Sequence, residues 1–136
     1  MTNVRTRLVP LAALLAAAGL ALTGVVPNAG AAAKAPKDFA LKGDAKSGAR
    51  IYKTYCKKCH GKSGDGTGVM AKDLTPKPAD FTDKARMGAR SDWQVYLGIK
   101  KGGLAVGLSP LMTPWKDTLN EQEIHDVAVY IRAFAQ

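Results

Sequence analysis

The chain is poor in the residues that build small metal sites and disulfide frameworks. Its 136 residues include only two cysteines and two histidines. A structural zinc ion takes about four such ligands, and the adjacency of Cys59 and His60 is poor geometry for one tetrahedral ion. A disulfide between Cys56 and Cys59 would close a very small loop, which adds little stability. Zinc binding and disulfide cross-linking are therefore weak explanations of these residues.

Two further patterns are missing. No alternation of apolar and polar residues precedes Tyr55, although a thiol–disulfide exchange motif usually follows a strand. The letters GKS at residues 61–63 resemble the end of a phosphate-binding loop, but that motif requires glycine where Cys56 stands. A thiol–disulfide protein without cofactor is kept as the alternative from another functional class. Nothing in the chain indicates a catalytic site of its own, so we do not expect an enzyme.

The N-terminal segment has the features of an export signal. Arg5 and Arg7 are followed by residues 8–26, which carry no charge, and then by small residues up to Ala33. We expect residues 1–33 to be a secretory signal peptide, cleaved after Ala31 or Ala33, and the protein to be periplasmic. Because the uncharged run is just long enough to span a bilayer, a membrane-anchored protein facing the periplasm is the alternative. No cysteine lies near this leader, which excludes a lipidated N-terminus.

Acidic residues are the minority among the charged ones. Lysine and arginine number 20 against 11 aspartate and glutamate residues, a net charge of +9. This balance favours acidic partners or an anionic surface, including peripheral association with a membrane. The basic residues are scattered rather than gathered in one block, so solubility is the simplest explanation. We expect no nucleic-acid partner for an exported protein, and the length suits one modest domain.

The stretch YCKKCHG combines both cysteines with a histidine. Cys56, Cys59 and His60 form the C-x-x-C-H signature of c-type haem attachment. In such a site the two thiols add across the vinyl groups of haem, and the histidine binds the iron as an axial ligand. Adjacency matters because it leaves the imidazole little freedom to move away. The motif predicts one covalently bound haem c per chain.

Four side chains are candidates for the second axial ligand of the iron. Glycines and prolines mark residues 102–114 as a loop, and Met112 lies on it. We interpret Met70 and Met87 as ordinary core residues. His125 lies on a predicted helix beside its apolar stripe, so we expect it to be exposed. Met112 is therefore the predicted ligand, and a doubly ligated iron indicates electron transfer rather than gas binding.

These motifs resemble those of a class I c-type cytochrome of the small bacterial single-haem kind. In that family a glycine, an aromatic residue and the first cysteine follow one another at intervals of four, as Gly48, Tyr52 and Cys56 do here. The family also packs an apolar and an aromatic residue of the last helix against that glycine, and Val127 and Tyr130 match them. The resemblance implies that two helices cross closely at Gly48.

The resemblance implies an all-α cytochrome c fold, with three to four helices around one covalently bound haem. It covers residues 43–136 as the cytochrome c domain and leaves residues 34–42 as a short linker. From local sequence, Asp44, Ser91 and Asn120 are the predicted N-caps of three helices.

Two further correspondences follow the haem motif. Met112 matches the sixth ligand of the family, and Trp115 matches the aromatic residue three positions later. Many relatives have a Gly-Pro pair whose proline carbonyl accepts a hydrogen bond from the proximal histidine. That pair is missing here, which leaves Pro76 and Pro78 as candidates for the carbonyl.

The implied function is the transfer of one electron between exported or membrane redox proteins. The alternatives are a haem-based gas sensor with a labile sixth site and the cytochrome subunit of a dehydrogenase. We expect a monomer whose donor and acceptor have acidic docking surfaces. The lysines that would meet them flank the haem motif and the methionine loop: Lys57, Lys58, Lys62, Lys100, Lys101 and Lys116.

Overall fold

The computed structural model describes residues 33–136, and this part of the chain is helical with no β-strand. The expected signal peptide lies almost entirely outside the described residues. Among the residues described, no helix has the length and apolar character needed to cross a bilayer. The helical elements are, in chain order, α1 (Ala45–Ile51), a π-helical turn (Tyr52–Cys56), α2 (Lys57–His60), a 3-10 turn (Ala71–Asp73), α3 (Lys84–Gly88), α4 (Asp92–Lys101), a second 3-10 turn (Gly103–Val106) and α5 (Glu121–Ala133).

The three predicted N-caps are confirmed. Asp44 caps α1 through its carboxylate, which accepts a backbone hydrogen bond from the first turn. Ser91 and Gln94 form a capping box at the start of α4, and Asn120 and Glu123 form another at the start of α5. Each box satisfies backbone N–H groups that have no partner inside the helix. Local hydrogen bonding thus sets where these helices begin.

Helices α1 and α5 approach each other closely at Gly48. A Cβ atom at Gly48 would overlap the carbonyl oxygen of Asp126 and lie 2.9 Å from the Cβ of Tyr130. The rings of Tyr52 and Tyr130 pack with their centroids 5.4 Å apart, and Val127 is fully buried. The expected close crossing at Gly48 is confirmed, since no side chain fits between the two helices.

Helix α5 provides the centre of the core. Its apolar residues at helical spacing, Ile124, Val127, Ala128 and Ile131, have almost no exposed surface. Phe134 continues the same face and packs against Tyr52, with ring centroids 5.2 Å apart. The predicted stripe is therefore the buried face of α5.

The segment expected to be a linker packs against α4. Phe39 lies edge-on to Trp93, with ring centroids 4.8 Å apart, and 5.1 Å from the ring of Tyr96. The indole N–H of Trp93 also donates a hydrogen bond to the carbonyl of Ala33 at 2.6 Å. Residues 34–42 therefore contribute an aromatic contact to the domain.

The expectation that His125 is exposed is wrong. The residue is half-buried, with its ring 5.7 Å from that of Phe39 and 4.8 Å from that of Tyr96. Its Nδ1 accepts a hydrogen bond from the backbone N–H of Lys42 at 3.4 Å. The segment before α1 covers the side of α5 on which His125 lies, outside the apolar stripe.

A buried carboxylate joins the start of α1 to α5. Asp126 accepts hydrogen bonds from the backbone N–H of Asp44 and from the side-chain amide of Gln122, both at 2.8 Å.

We expect Asp126→Ala to lower the free energy of unfolding by about 1–3 kcal/mol, because two donors lose their acceptor. Urea unfolding of the haem-loaded protein measures the change. The exposed Asp117 provides a control, since Asp117→Ala should change stability by less than about 0.5 kcal/mol; equal effects of the two variants would contradict the role of Asp126.

Candidate functional site

An apolar cavity of about 320 Å³ borders the end of α2. All four residues predicted to hold haem lie on its wall: Cys56, Cys59, His60 and Met112. Residues from α2, α4 and the loop that follows α4 contribute to the same wall. The structure therefore brings together a motif and a methionine that are more than fifty positions apart in the sequence.

The two cysteines are free thiols at the junction of the π-helical turn and α2. Cys56 ends the π-helical turn, a rare form of helix that often occurs at functional sites. Burial and, to a lesser extent, the neighbouring Cys59 thiol together raise the pKa of the Cys56 thiol to about 12. A thiol–disulfide exchange site depends on a lowered thiol pKa, so the structure argues against that alternative.

The ring of His60 is held by a hydrogen bond and by stacking. Its Nδ1 lies 3.1 Å from the carbonyl oxygen of Ala79, and the ring of Phe81 stacks on it with centroids 4.5 Å apart and planes 17° from parallel. A carbonyl only accepts, so Nδ1 carries the hydrogen and Nε2 is left as a ligand. Burial lowers the pKa of His60, while the hydrogen bond to Ala79 opposes that shift. The ring is thus favoured in the neutral form that binds metals.

The carbonyl partner of His60 differs from the one that we expected. Pro76 and Pro78 both lie on the cavity wall, but the hydrogen bond goes to the next residue, Ala79. Every residue has a backbone carbonyl, so the sequence gives no sign of which one faces the imidazole. The two prolines lie in the loop that supplies the carbonyl, but the carbonyl belongs to the residue that follows Pro78.

The predicted loop after α4 contains a short 3-10 turn, Gly103–Val106, which the sequence analysis did not predict. The backbone N–H of Gly103 donates to the carbonyl of Met112 at 2.9 Å, and this bond ties the two ends of the loop together.

Met87 is buried, as expected, and also lies on the cavity wall. Met70 is half-exposed, so its assignment to the core is wrong.

Trp115 lies on the cavity wall beside Tyr55, with ring centroids 5.3 Å apart. Both side chains are partly exposed at this position. The backbone N–H of Trp115 donates to the carbonyl of Ile99 at 3.0 Å, which fixes the chain after the methionine loop against α4. Trp115 is therefore both a packing residue and part of the cavity.

A glycine-rich loop, which was not predicted from the sequence to have a role, donates backbone hydrogen bonds to the end of α2. The carbonyls of the last three residues of α2 accept backbone hydrogen bonds from Met70, Gly68 and Gly66, at 2.9, 3.2 and 2.9 Å. A Cβ at Gly68 would lie 2.6 Å from the carbonyl carbon of Cys59. The loop satisfies carbonyls that a helix end leaves unpaired. Its only signal in the sequence is the frequent glycine of GKSGDGTG.

These residues fit a covalently attached haem. Two thiols are available for the vinyl groups, a neutral imidazole is oriented by its own hydrogen bond, and a thioether lies on the same cavity wall. The rest of the wall is mostly apolar, as a porphyrin ring requires.

The sequence matches the family described as cytochrome c oxidase, cbb3-type, subunit III, over residues 43–131. The chain belongs to the class I c-type cytochromes. The family predicted from the sequence is thereby confirmed. Membership implies covalently bound haem c and redox proteins as partners for this cytochrome.

Two relatives, each matched over nearly its whole length, support the assignment. The cytochrome is 32% identical over 92 residues to cytochrome c-554(547) of Halothiobacillus neapolitanus, covering 65% of this chain and 94% of that protein. It is 33% identical over 88 residues to cytochrome c-554(548) of Halomonas halodenitrificans, covering 65% of this chain and 93% of that protein.

Solved structures confirm the all-α cytochrome c fold. A chain of the Kuenenia stuttgartiensis reducing HAO-like protein complex is 28% identical with a TM-score of 0.57, over 71% of this cytochrome and 45% of that chain. The cytochrome thus spans less than half of that neighbour. The c-type cytochrome KustC0563 is 26% identical with a TM-score of 0.54, over 65% of this chain and 98% of that one.

Proposed function

We propose that this cytochrome carries one electron at a time between two redox proteins. A single haem c would be held by thioether bonds to Cys56 and Cys59 and by axial ligation from His60 and Met112. The observation that carries the proposal is the convergence of these four side chains on one apolar cavity. With two cysteines in the whole chain, the sequence has one complete attachment motif.

When bound, haem supplies the one-electron chemistry, and the side chains tune it. The Ala79 carbonyl and the Phe81 ring hold the His60 imidazole in one orientation, which reduces rearrangement when the charge on the site changes. A methionine thioether raises the potential relative to a second histidine. The apolar wall acts in the same direction, because it disfavours the additional positive charge of the ferric form. Because His60 and Met112 would both hold the iron, we propose no catalytic activity for this protein.

We further propose that the protein works in the periplasm. This rests on the basic and then uncharged N-terminal sequence, whose removal would release the domain after Ala31 or Ala33. The intact mass of the protein from its native membrane and periplasmic fractions tests this step. A full-length mass in the membrane fraction would favour the anchored alternative.

The basic residues near the haem motif suit an acidic partner. Lys57, Lys58 and Lys62 are exposed, and within residues 33–136 no carboxylate lies at ion-pairing distance from them. Lys100 and Lys116, in contrast, form ion pairs inside the chain. We therefore propose that the lysines of the motif dominate partner attraction, and that Lys100 and Lys116 contribute less.

Neutralising two of these lysines should slow association with an acidic redox partner. We expect the double variant Lys57→Gln, Lys58→Gln to associate several-fold more slowly at low salt, on the order of effects that steering charges produce. Its rate should also depend less on ionic strength, because fewer charges are screened. Stopped-flow electron transfer with an acidic partner protein measures both quantities. The matched control is the double variant Lys42→Gln, Lys46→Gln. Equal slowing in both double variants would show that association depends on the net charge of the protein and not on the position of Lys57 and Lys58.

The proposed function is tested by a redox titration of the exported protein, with the haem content measured in parallel. We expect one haem per chain, one reversible one-electron transition, and no spectral change when carbon monoxide is added to the reduced protein. Carbon monoxide binding by the native protein would favour the gas sensor. Isolation in a stable complex with an oxidoreductase would favour the dehydrogenase subunit.

A further inference from the structure

Helix α3 covers one side of the cavity with little packing of its own. Met87 is the one buried residue of this five-residue helix, and its other four residues are exposed. Arg86 and Met87 lie on the cavity wall, and so does Arg90 in the turn that follows. A helix of this length is not stable by itself in water. Its position over the cavity therefore depends on bonds to the rest of the domain.

A side chain of α5 joins α3 to the rest of the domain. The guanidinium of Arg132 donates to the carbonyl of Met87 at 2.7 Å, to the carbonyl of Arg90, and to the carboxylate of Asp92 at 2.8 Å. These acceptors lie near the end of α3, in the turn after it and at the first residue of α4. One planar guanidinium meets all three because its five N–H groups point in fixed directions. Arg132 thus fixes the corner between α3 and α4.

Arg132 is itself held firmly in the domain. Its side chain is 19% exposed, and the preceding residue, Ile131, is buried and lies on the cavity wall. The side chain of Asp92 is about half exposed, which weakens the ion pair. The bonds to the two carbonyls are partly buried and have a charged donor, so they are the stronger part of the attachment.

We propose that α3 is a lid over the cavity and that Arg132 is the positioning residue that keeps the lid closed. The consequence for electron transfer rests on the proposed function, since it requires haem in the cavity. A closed lid excludes water, and an apolar surrounding disfavours the additional positive charge of the ferric form. Opening of the lid admits water, which stabilises the ferric form and lowers the midpoint potential.

The first measurement is hydrogen exchange of backbone amides in the native state. The amides of Met87 and Ala89 report on α3, because each donates to a carbonyl in this helix or just before it. In Arg132→Gln we expect both amides to exchange about tenfold faster or more, because the loss of bonds from a charged donor makes local opening easier. The amide of Gly48, which is hydrogen-bonded at the start of α1, should exchange at its native rate.

Three further variants separate the position of the guanidinium from its charge. Arg132→Lys keeps the charge and loses the planar arrangement of donors, so we expect its exchange rates to lie between those of the native protein and Arg132→Gln. Asp92→Asn keeps both bonds to carbonyls and should have a smaller effect at Met87. The matched control is Arg50→Gln, at an exposed residue of α1 away from the cavity wall, which should leave the exchange of α3 unchanged.

The second measurement is the midpoint potential at neutral pH. We expect it to fall in Arg132→Gln and, by a smaller amount, in Arg132→Lys, where the charge is kept and the entry of water remains as the cause. A native potential in Arg132→Lys, together with faster exchange at Met87, would overturn the role of α3 in shielding the haem. Native exchange at Met87 in Arg132→Gln, or equal acceleration at Gly48, would overturn the lid itself. Absence of covalent haem from the native protein would overturn the proposed function, and the exchange rates would still show whether Arg132 holds the lid.

Discussion

The variant Met112→Ala is expected to bind carbon monoxide in its reduced form, which the native protein should not do. Removing the thioether leaves the loop of residues 102–114 in place, because the bond from Gly103 uses the backbone carbonyl of residue 112. The iron that Met112 would hold then becomes available to an external ligand. We also expect the midpoint potential to fall, by a substantial part of the roughly 0.8 V that axial ligands span in haem proteins. Carbon monoxide difference spectra and a redox titration provide the two measurements.

Met87 is the decisive control for this experiment, because it is buried on the same cavity wall. A volume-conserving change, Met87→Leu, should cost less than about 1.5 kcal/mol in stability and leave the axial ligation unchanged. Met70→Leu, at a half-exposed position away from the wall, should have no effect on the spectrum. If Met87→Leu binds carbon monoxide and Met112→Ala does not, the assignment of Met112 is incorrect.

Removing both cysteines should abolish covalent haem attachment and with it most of the folded structure. In Cys56→Ala, Cys59→Ala no thiol remains in the chain. Without haem, the apolar wall of the cavity would be left facing water, and the chain would lose much of the apolar burial that keeps a small domain folded. The total stability of a small domain is only about 5–15 kcal/mol, so we expect this loss to unfold most of the chain. Each single variant keeps one thioether bond, so we expect lower yield with some haem still attached.

Intact mass under denaturing conditions and far-ultraviolet circular dichroism measure these effects. The double variant should lack the mass of haem and show little helix after purification. The control is Thr54→Ala, an exposed position in the same π-helical turn, which should keep haem and fold. A helical, cooperatively unfolding double variant without haem would show that the polypeptide alone forms a sufficient core.

The features predicted correctly from sequence are those fixed by local chemistry. The assignment of Cys56, Cys59 and His60 to haem attachment stays a prediction, which rests on the C-x-x-C-H spacing alone. Helix starts are equally local, because a cap and its partner lie three residues apart, as at Ser91 and Asn120. The close helix crossing at Gly48 could be predicted because the family has a glycine at this point, where the last helix packs against it.

The features that were missed depend on contacts between distant segments. Phe39 covers His125 although more than eighty positions separate them, and no periodicity in α5 indicates this. Ala79 acts through its backbone carbonyl, which its side chain does not reveal. The assignment of Met70 to the core failed for a related reason, since the loop that carries it is anchored by backbone hydrogen bonds rather than by burial of its side chain.

The central claim, that His60 and Met112 together hold the iron of a covalent haem, is tested most directly by the optical spectrum of the purified protein. The account predicts a sharp α-band after reduction and, in the oxidised protein, the weak near-infrared band that methionine–iron ligation gives. The near-infrared band should disappear in Met112→Ala and persist in Met87→Leu. A low-spin spectrum without that band in the native protein, or a high-spin spectrum, would contradict the account.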